Sequence, residues 1–103
     1  MAQLDVFRNA NPDTSGFAPY LVDLQHELLS QMSTRVVAPL LHAEEVRPIS
    51  RLNPTFEIEG NAVVMSTQEL AGVPKTALGE RVGSVADHRD EIIAALDLLF
   101  MGV

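Results

Sequence analysis

The stretch T-F-E-I-E-G-N-A-V-V-M-S-T, residues 55–67, decides the class of the fold. Thr55 to Glu59 and Ala62 to Thr67 read as two strands, and Gly60-Asn61 between them belongs to the dipeptides that close a two-residue hairpin. No stronger hairpin signal occurs in the chain, and it sets the expectation of an antiparallel sheet. Glu57 and Glu59 share one face of the first run. A solvated strand face accounts for them better than a catalytic carboxylate pair, which needs two unlike environments.

Working upstream, residues 43–54 (A-E-E-V-R-P-I-S-R-L-N-P) mix charges with two prolines and hold no period, so they predict an excursion over the surface. Arg35 to Leu41 is a nearly continuous apolar run, expected as a strand buried on both faces, with Pro39 implying a bulge or an edge. Phe17 to Gln25 alternates Tyr20, Val22 and Leu24 against Leu21, Asp23 and Gln25, the pattern of another strand, whose Pro19 favours an edge or entry position. A short loop after it must place Leu28 and Leu29. Gln3 to Arg8 predicts the first strand, and N-A-N-P-D-T-S-G after it a loop.

Downstream of the hairpin, residues 68–83 give short pieces punctuated by Gly72, Pro74, Gly79 and Gly83. A helix over about 87–101 then closes the chain. Its wheel places Ile92, Ile93, Leu96, Leu99, Phe100 and Val103 on a core-facing side and Asp87, Asp90, Glu91, Ala94, Asp97, Leu98 and Met101 on the other. Asp87 is expected as the N-cap, with Asp90 completing an aspartate capping box, and Gly102 fits a left-handed position past the end. After Asp97 the chain carries six residues without a charge. Either the terminus is tucked into its own core or a dimer seam, or it is an exposed apolar patch that docks on another protein. Short strands with one terminal helix predict a mainly β chain, a curled antiparallel sheet or small barrel with the helix packed on it.

The 103 residues suit a single domain spanning 1–103, small enough that a dimer interface would help it. Seven Lys plus Arg against fourteen Asp plus Glu give a net charge of −7, and the basic residues are scattered singly. Direct nucleic-acid binding through a basic stripe is therefore not expected. The chain has no cysteine, no basic-then-apolar leader and no run of about 18 apolar residues, so a soluble cytoplasmic protein without a membrane partner is the expectation.

Local motifs for chemistry are missing. His26-Glu27 begins an H-E-x-x-H pattern, but Ser30 occupies the second histidine position. His42 and Glu44 are two donors in a loop, short of a metal site. His88 lies among acids in the first helical turn, where balancing local charge is its simplest role. No G-x-S-x-G, G-x-G-x-x-G or P-loop occurs. The expectation is a binding protein rather than an enzyme, with no cofactor and no metal.

Taken together, N-P-T-F-E-I-E-G, M-S-T-Q-E-L-A-G-V-P and A-L-G-E-R-V-G-S-V-A-D-H-R-D-E-I-I-A-A-L-D-L-L-F-M-G-V, preceded by L-V-D-L-Q and R-V-V-A-P-L in the same order, resemble the CcdB family, toxins of type II toxin–antitoxin modules. The resemblance spans essentially the whole chain. It implies an SH3-like small barrel of the CcdB/MazF type with a C-terminal helix, assembled as a homodimer. It also implies a toxin that binds the DNA gyrase A subunit, traps gyrase on cleaved DNA and is neutralised by a CcdA-type antitoxin, with operator DNA met only through the antitoxin.

Family toxins end in F-W-G-I, and the matching tail here is Phe100-Met101-Gly102-Val103. The resemblance therefore places gyrase contact on Met101, Gly102 and Val103, on the helix positions Ala94, Asp97 and Leu98, and on Leu28 and Leu29, which match the family's paired isoleucines. Two family asparagines are replaced by Ala94 and Asp97. Met101 lacks the ring that stacks on a gyrase arginine, a contact worth roughly 0.5–2 kcal/mol. Asp97 could pair with that arginine instead, with Met101 as a pliable filler. Two other readings stay open: a degenerate relative that binds antitoxin but has lost or changed its gyrase target, and an endoribonuclease like the related MazF and Kid toxins, against which the sparse basic residues argue. The loop Asn9 to Ser15 and the excursion Glu44 to Asn53 are candidates for antitoxin contact.

Overall fold

The computed structural model describes residues 2–102. Seven strands, β1 (Asp5–Asn9), β2 (Tyr20–Asp23), β3 (Thr34–His42), β4 (Thr55–Ile58), β5 (Asn61–Met65), β6 (Ala71–Pro74) and β7 (Leu78–Ser84), precede one helix, α1 (Arg89–Met101). They form one sheet in the order β4-β5-β3-β2-β1-β7, with β6 also on β3, and every pairing is antiparallel. The sheet curls into a half-barrel with α1 packed on it, which is the mainly β architecture that the sequence predicts. The register shifts between β1 and β7 help it curl.

The core lies inside the curl. Val6, Tyr20, Val22, Ala38, Leu40, Phe56, Ile58, Val63 and Met65 point inward, and Val85, Ile92 and Ala95 close over them. Phe7, Leu21, Val37, Leu41 and Val64 are buried as well, outside that cluster, so the central strands are apolar on both faces. β3 is the spine, as its unbroken apolar run predicts. Pro39, however, makes neither an edge nor a bulge. β6 pairs with residues 34–37 of β3 and β5 with 40–42, and the Pro39 carbonyl accepts from the Ser66 amide at 2.9 Å on that same side. The missing N–H therefore falls where one neighbour hands over to the next, and no ladder bond is lost.

The hairpin forms one residue earlier than Gly60-Asn61. Ile58 pairs with Asn61, so Glu59-Gly60 is the loop, with φ of 53° and 80°. Both positive angles are what the favoured two-residue turn requires. This register keeps Phe56, Ile58, Val63 and Met65 in the core, and the inward set decides register. Glu59 accepts the left-handed backbone while its carboxylate is bound by Arg8 at 2.7 Å and the Tyr20 hydroxyl at 2.9 Å. Arg8 also lies 3.8 Å from Glu80. The turn at one end of the sheet is thus tied by side chains to β1 and β2, and through Arg8 to β7 at the other end.

α1 begins later and sits at a different rotation than the wheel predicts. A 3-10 turn over Ala86–His88 leads into it, no side chain caps it, and Asp87 is exposed, so the aspartate capping box does not form. The Ser84 hydroxyl takes the Ala86 amide instead, at 3.1 Å. His88 packs edge-on against Phe56 with centroids 4.9 Å apart and lies 3.0 Å from Glu91. Ile92 and Ala95 are buried and Leu96 is partly so, whereas Ile93 and Phe100 turn outward. Ala95 lies fully buried beside Ile92 in the core cluster. An apolar residue on nearly every side leaves the wheel unable to choose that face.

Candidate functional site

The end of α1 follows from local chemistry. Gly102 takes a left-handed φ of 76° and its amide returns to the Leu98 carbonyl at 3.0 Å, closing the helix as glycine's missing Cβ allows. No basic residue lies in the last turn. Met101 is 74% exposed and Phe100 67% exposed, with Ile93 and Asp97 on the same outward half of the helix. Phe100 and Met101 are thus left in water side by side at this end of the helix, with Ile93 two turns earlier on the same side. Of the predicted helix positions, Asp97, Met101 and Gly102 are exposed, while Ala94 and Leu98 are half-buried. Val103 lies outside the described residues. Ile93 and Phe100 were assigned to the core by periodicity, so sequence reasoning missed them as surface groups.

Ala94 also borders a cavity of about 340 Å³ with Glu91 and the segment Arg51, Asn53, Pro54 and Thr55. That segment is fixed from within: the Asn53 amide donates to the Met65 carbonyl at 3.1 Å and to Gln68 at 2.8 Å. The surface excursion thus ends in a buried anchor, against which one flank of α1 faces.

Leu28 and Leu29 occupy a 3-10 turn, Glu27–Leu29, on the β2–β3 connection. His26 caps it by accepting the Leu28 amide at 3.1 Å, which gives that histidine a structural task. Leu28 is 87% exposed, the most of any large apolar residue described, and Met32 beyond it is exposed too. Beneath the turn lies a fully buried ion pair. Arg35 donates to the Asp23 carboxylate through Nε at 3.1 Å and Nη2 at 2.6 Å, and Nη2 also reaches the Gln25 carbonyl at 3.0 Å. Arg35 Nη1 is buried without a partner. The leucine pair and the helix end lie on separate elements.

Two hydroxyls capable of chemistry are engaged in the fold. Thr67 donates to the Leu52 carbonyl at 2.5 Å, and Ser66 to Glu69 at 2.5 Å. His42 and Glu44 line a cavity of about 190 Å³ with Gly60, Asn61 and Ala62. Among the described residues, no three His, Cys, Asp or Glu side chains gather as a metal site, and no helix is long and apolar enough to cross a membrane.

Comparison with solved structures finds the same architecture in chains of low identity. The Mycobacterium tuberculosis toxin MazF-mt6 superposes with a TM-score of 0.76 at 17% identity, covering 93% of this chain and 95% of that one. An endoribonuclease in complex with its cognate antitoxin, from a mycobacterial species, gives 0.76 at 12% identity over 96% and 93%. An endoribonuclease from a mycobacterial species gives 0.74 at 14% identity over 96% and 89%. These likenesses overturn the expectation that the chain is no enzyme. That expectation rested on the family resemblance and on missing local motifs, and an active site assembled across strands is recognised by geometry rather than by spacing. An empty motif inventory therefore excludes no reaction on this fold. At the level of sequence, the family model described as CcdB protein matches residues 3–102, nearly the full length. On that match the chain belongs to the CcdB family, toxins of toxin–antitoxin modules.

Proposed function

We propose that this toxin acts by binding the A subunit of DNA gyrase through the end of α1, together with Leu28 and Leu29, and holds gyrase on cleaved DNA. The observation that carries the reading is the uncharged helix end with Phe100 and Met101 in solvent. Membership of the CcdB family supports gyrase as the target. Ala94, Asp97, Leu98, Met101, Gly102 and Val103 form the proposed helix side of the contact. The chain works as a homodimer in the cytoplasm, where a CcdA-type antitoxin covers it and carries the complex to operator DNA. A neighbour of the same fold is described with its cognate antitoxin, which supports that pairing.

The test is supercoiling and DNA-cleavage assays with purified gyrase, using the full chain and a version lacking Met101, Gly102 and Val103. Inhibition by the full chain and its loss in the shortened one is the expected outcome; equal inhibition removes the site assignment. A second reading, RNA cleavage, is favoured by the likeness to solved chains described as endoribonucleases. RNA incubated with the same preparation separates the two. Cut RNA with unaffected gyrase replaces the first reading with the second.

A further inference from the structure

Two neighbouring carbonyls of the exposed β2–β3 turn are gripped by side chains from outside it. Gln25 Nε2 donates to the Leu29 carbonyl at 3.2 Å, and Lys75 Nζ donates to the Ser30 carbonyl. Gln25 is itself saturated: its Oε1 accepts the Val36 amide at 2.9 Å, its amide reaches Asp23 Oδ1 at 3.0 Å, and its carbonyl holds Arg35. Lys75 is fixed at its backbone by the Ser33 carbonyl at 3.0 Å, just past β6. A three-residue 3-10 turn carrying an 87% exposed leucine has little packing of its own to hold it still. Besides the His26 cap and the turn's own backbone bonds, these two clamps are what tie it to the rest of the fold, above the buried Arg35–Asp23 pair.

We propose that Gln25 and Lys75 are positioning residues that hold the turn so that Leu28 and Leu29 meet the partner already ordered. The inference rests on the gyrase reading for the identity of that partner. Pre-ordering lowers the entropy lost on docking, so releasing one clamp weakens binding without removing any contacting side chain. Lys75 stands well outside the core, and its loss leaves the buried network intact.

Lys75→Met keeps the aliphatic stem and removes the donor; Lys75→Arg restores a donor. Amide hydrogen exchange at Leu28, Leu29 and Ser30 is measured together with the thermal midpoint and affinity for the purified gyrase A subunit. Lys75→Met is expected to speed exchange at those three amides by about tenfold while the rest of the sheet is unchanged. Affinity is expected to fall by about three- to tenfold, and Lys75→Arg to recover both. Gln25→Glu, which keeps the acceptor for Val36 but not the donor for Leu29, is expected to act in the same direction. Unchanged exchange at the turn overturns the proposal whatever gyrase does, and so does exchange that rises uniformly across the chain. Leu28→Ala with Leu29→Ala separates the two ideas. If it binds gyrase like the native chain, the gyrase site is wrong and positioning for it falls too. If it binds weakly while Lys75→Met binds normally, the site stands and the positioning role is refuted.

Discussion

Arg35 and Asp23 form a buried pair that also holds the Gln25 carbonyl, where the chain leaves β2 for the exposed turn. Both side chains are wholly buried, so removing either leaves a charge in the interior without its counterion. Arg35→Met is expected to cost about 3–5 kcal/mol in urea unfolding, and the double change with Asp23→Leu distinctly less, because the paired penalty is then absent. Met101 illustrates the opposite case, a side chain with almost nothing to lose inside its own protomer. Met101→Trp is therefore expected to leave unfolding unchanged and, on the gyrase reading, to tighten binding by about tenfold through a cation–π contact. Asp97→Ala reads the companion idea. Unchanged gyrase inhibition in that variant ends the pairing of Asp97 with a gyrase arginine.

At the scale of elements, legibility depended on how much of the signal was local. The 55–67 hairpin and the apolar β3 run were readable because alternation and a turn dipeptide are short-range properties. β7 was not, since its glycines and charges resemble loop and its strand character comes from pairing with β1. The turn slipped by one residue because the inward side chains, not the Gly60-Asn61 dipeptide, choose the register. Glu59 in a left-handed turn allows the two contributions to be separated. Glu59→Gly removes backbone strain along with the Arg8 and Tyr20 bonds and is expected to be near neutral. Glu59→Ala keeps the strain and loses the bonds, lowering stability by about 1 kcal/mol in denaturant titration. The rotation of α1 escaped the wheel for a related reason. Ile93 and Phe100 look like core by composition, and only the burial of Ile92 and Ala95 shows which face is inside. Leu28 and Leu29 were singled out through the family resemblance, whereas the clamps of Gln25 and Lys75 join residues far apart in sequence and leave no pattern to find.

For the whole molecule, the family and the architecture rest on two separate comparisons. The sequence match places the chain with the CcdB toxins, while solved chains of the same shape include ones described as endoribonucleases. A shared barrel fixes where strands and loops lie and leaves the chemistry to whatever side chains are presented. In this chain the three most exposed large apolar side chains, Leu28, Met101 and Phe100, sit on the β2–β3 turn and at the end of α1, while Phe17 and Ile49 are exposed elsewhere. The Arg8–Glu59–Tyr20 tie gives that barrel an unusual seam. Backbone ladders join each strand to its neighbour, but the β4–β5 turn reaches across to β1 through half-exposed ions. Dissolved salt weakens exposed charges at such separations and leaves amide ladders nearly untouched. Raising ionic strength should thus unzip the cylinder along that line first. Hydrogen–deuterium labelling in 1 M salt against dilute buffer is expected to loosen residues 58–62 before any part of β3, giving a barrel that opens like a cuff whose button is electrostatic.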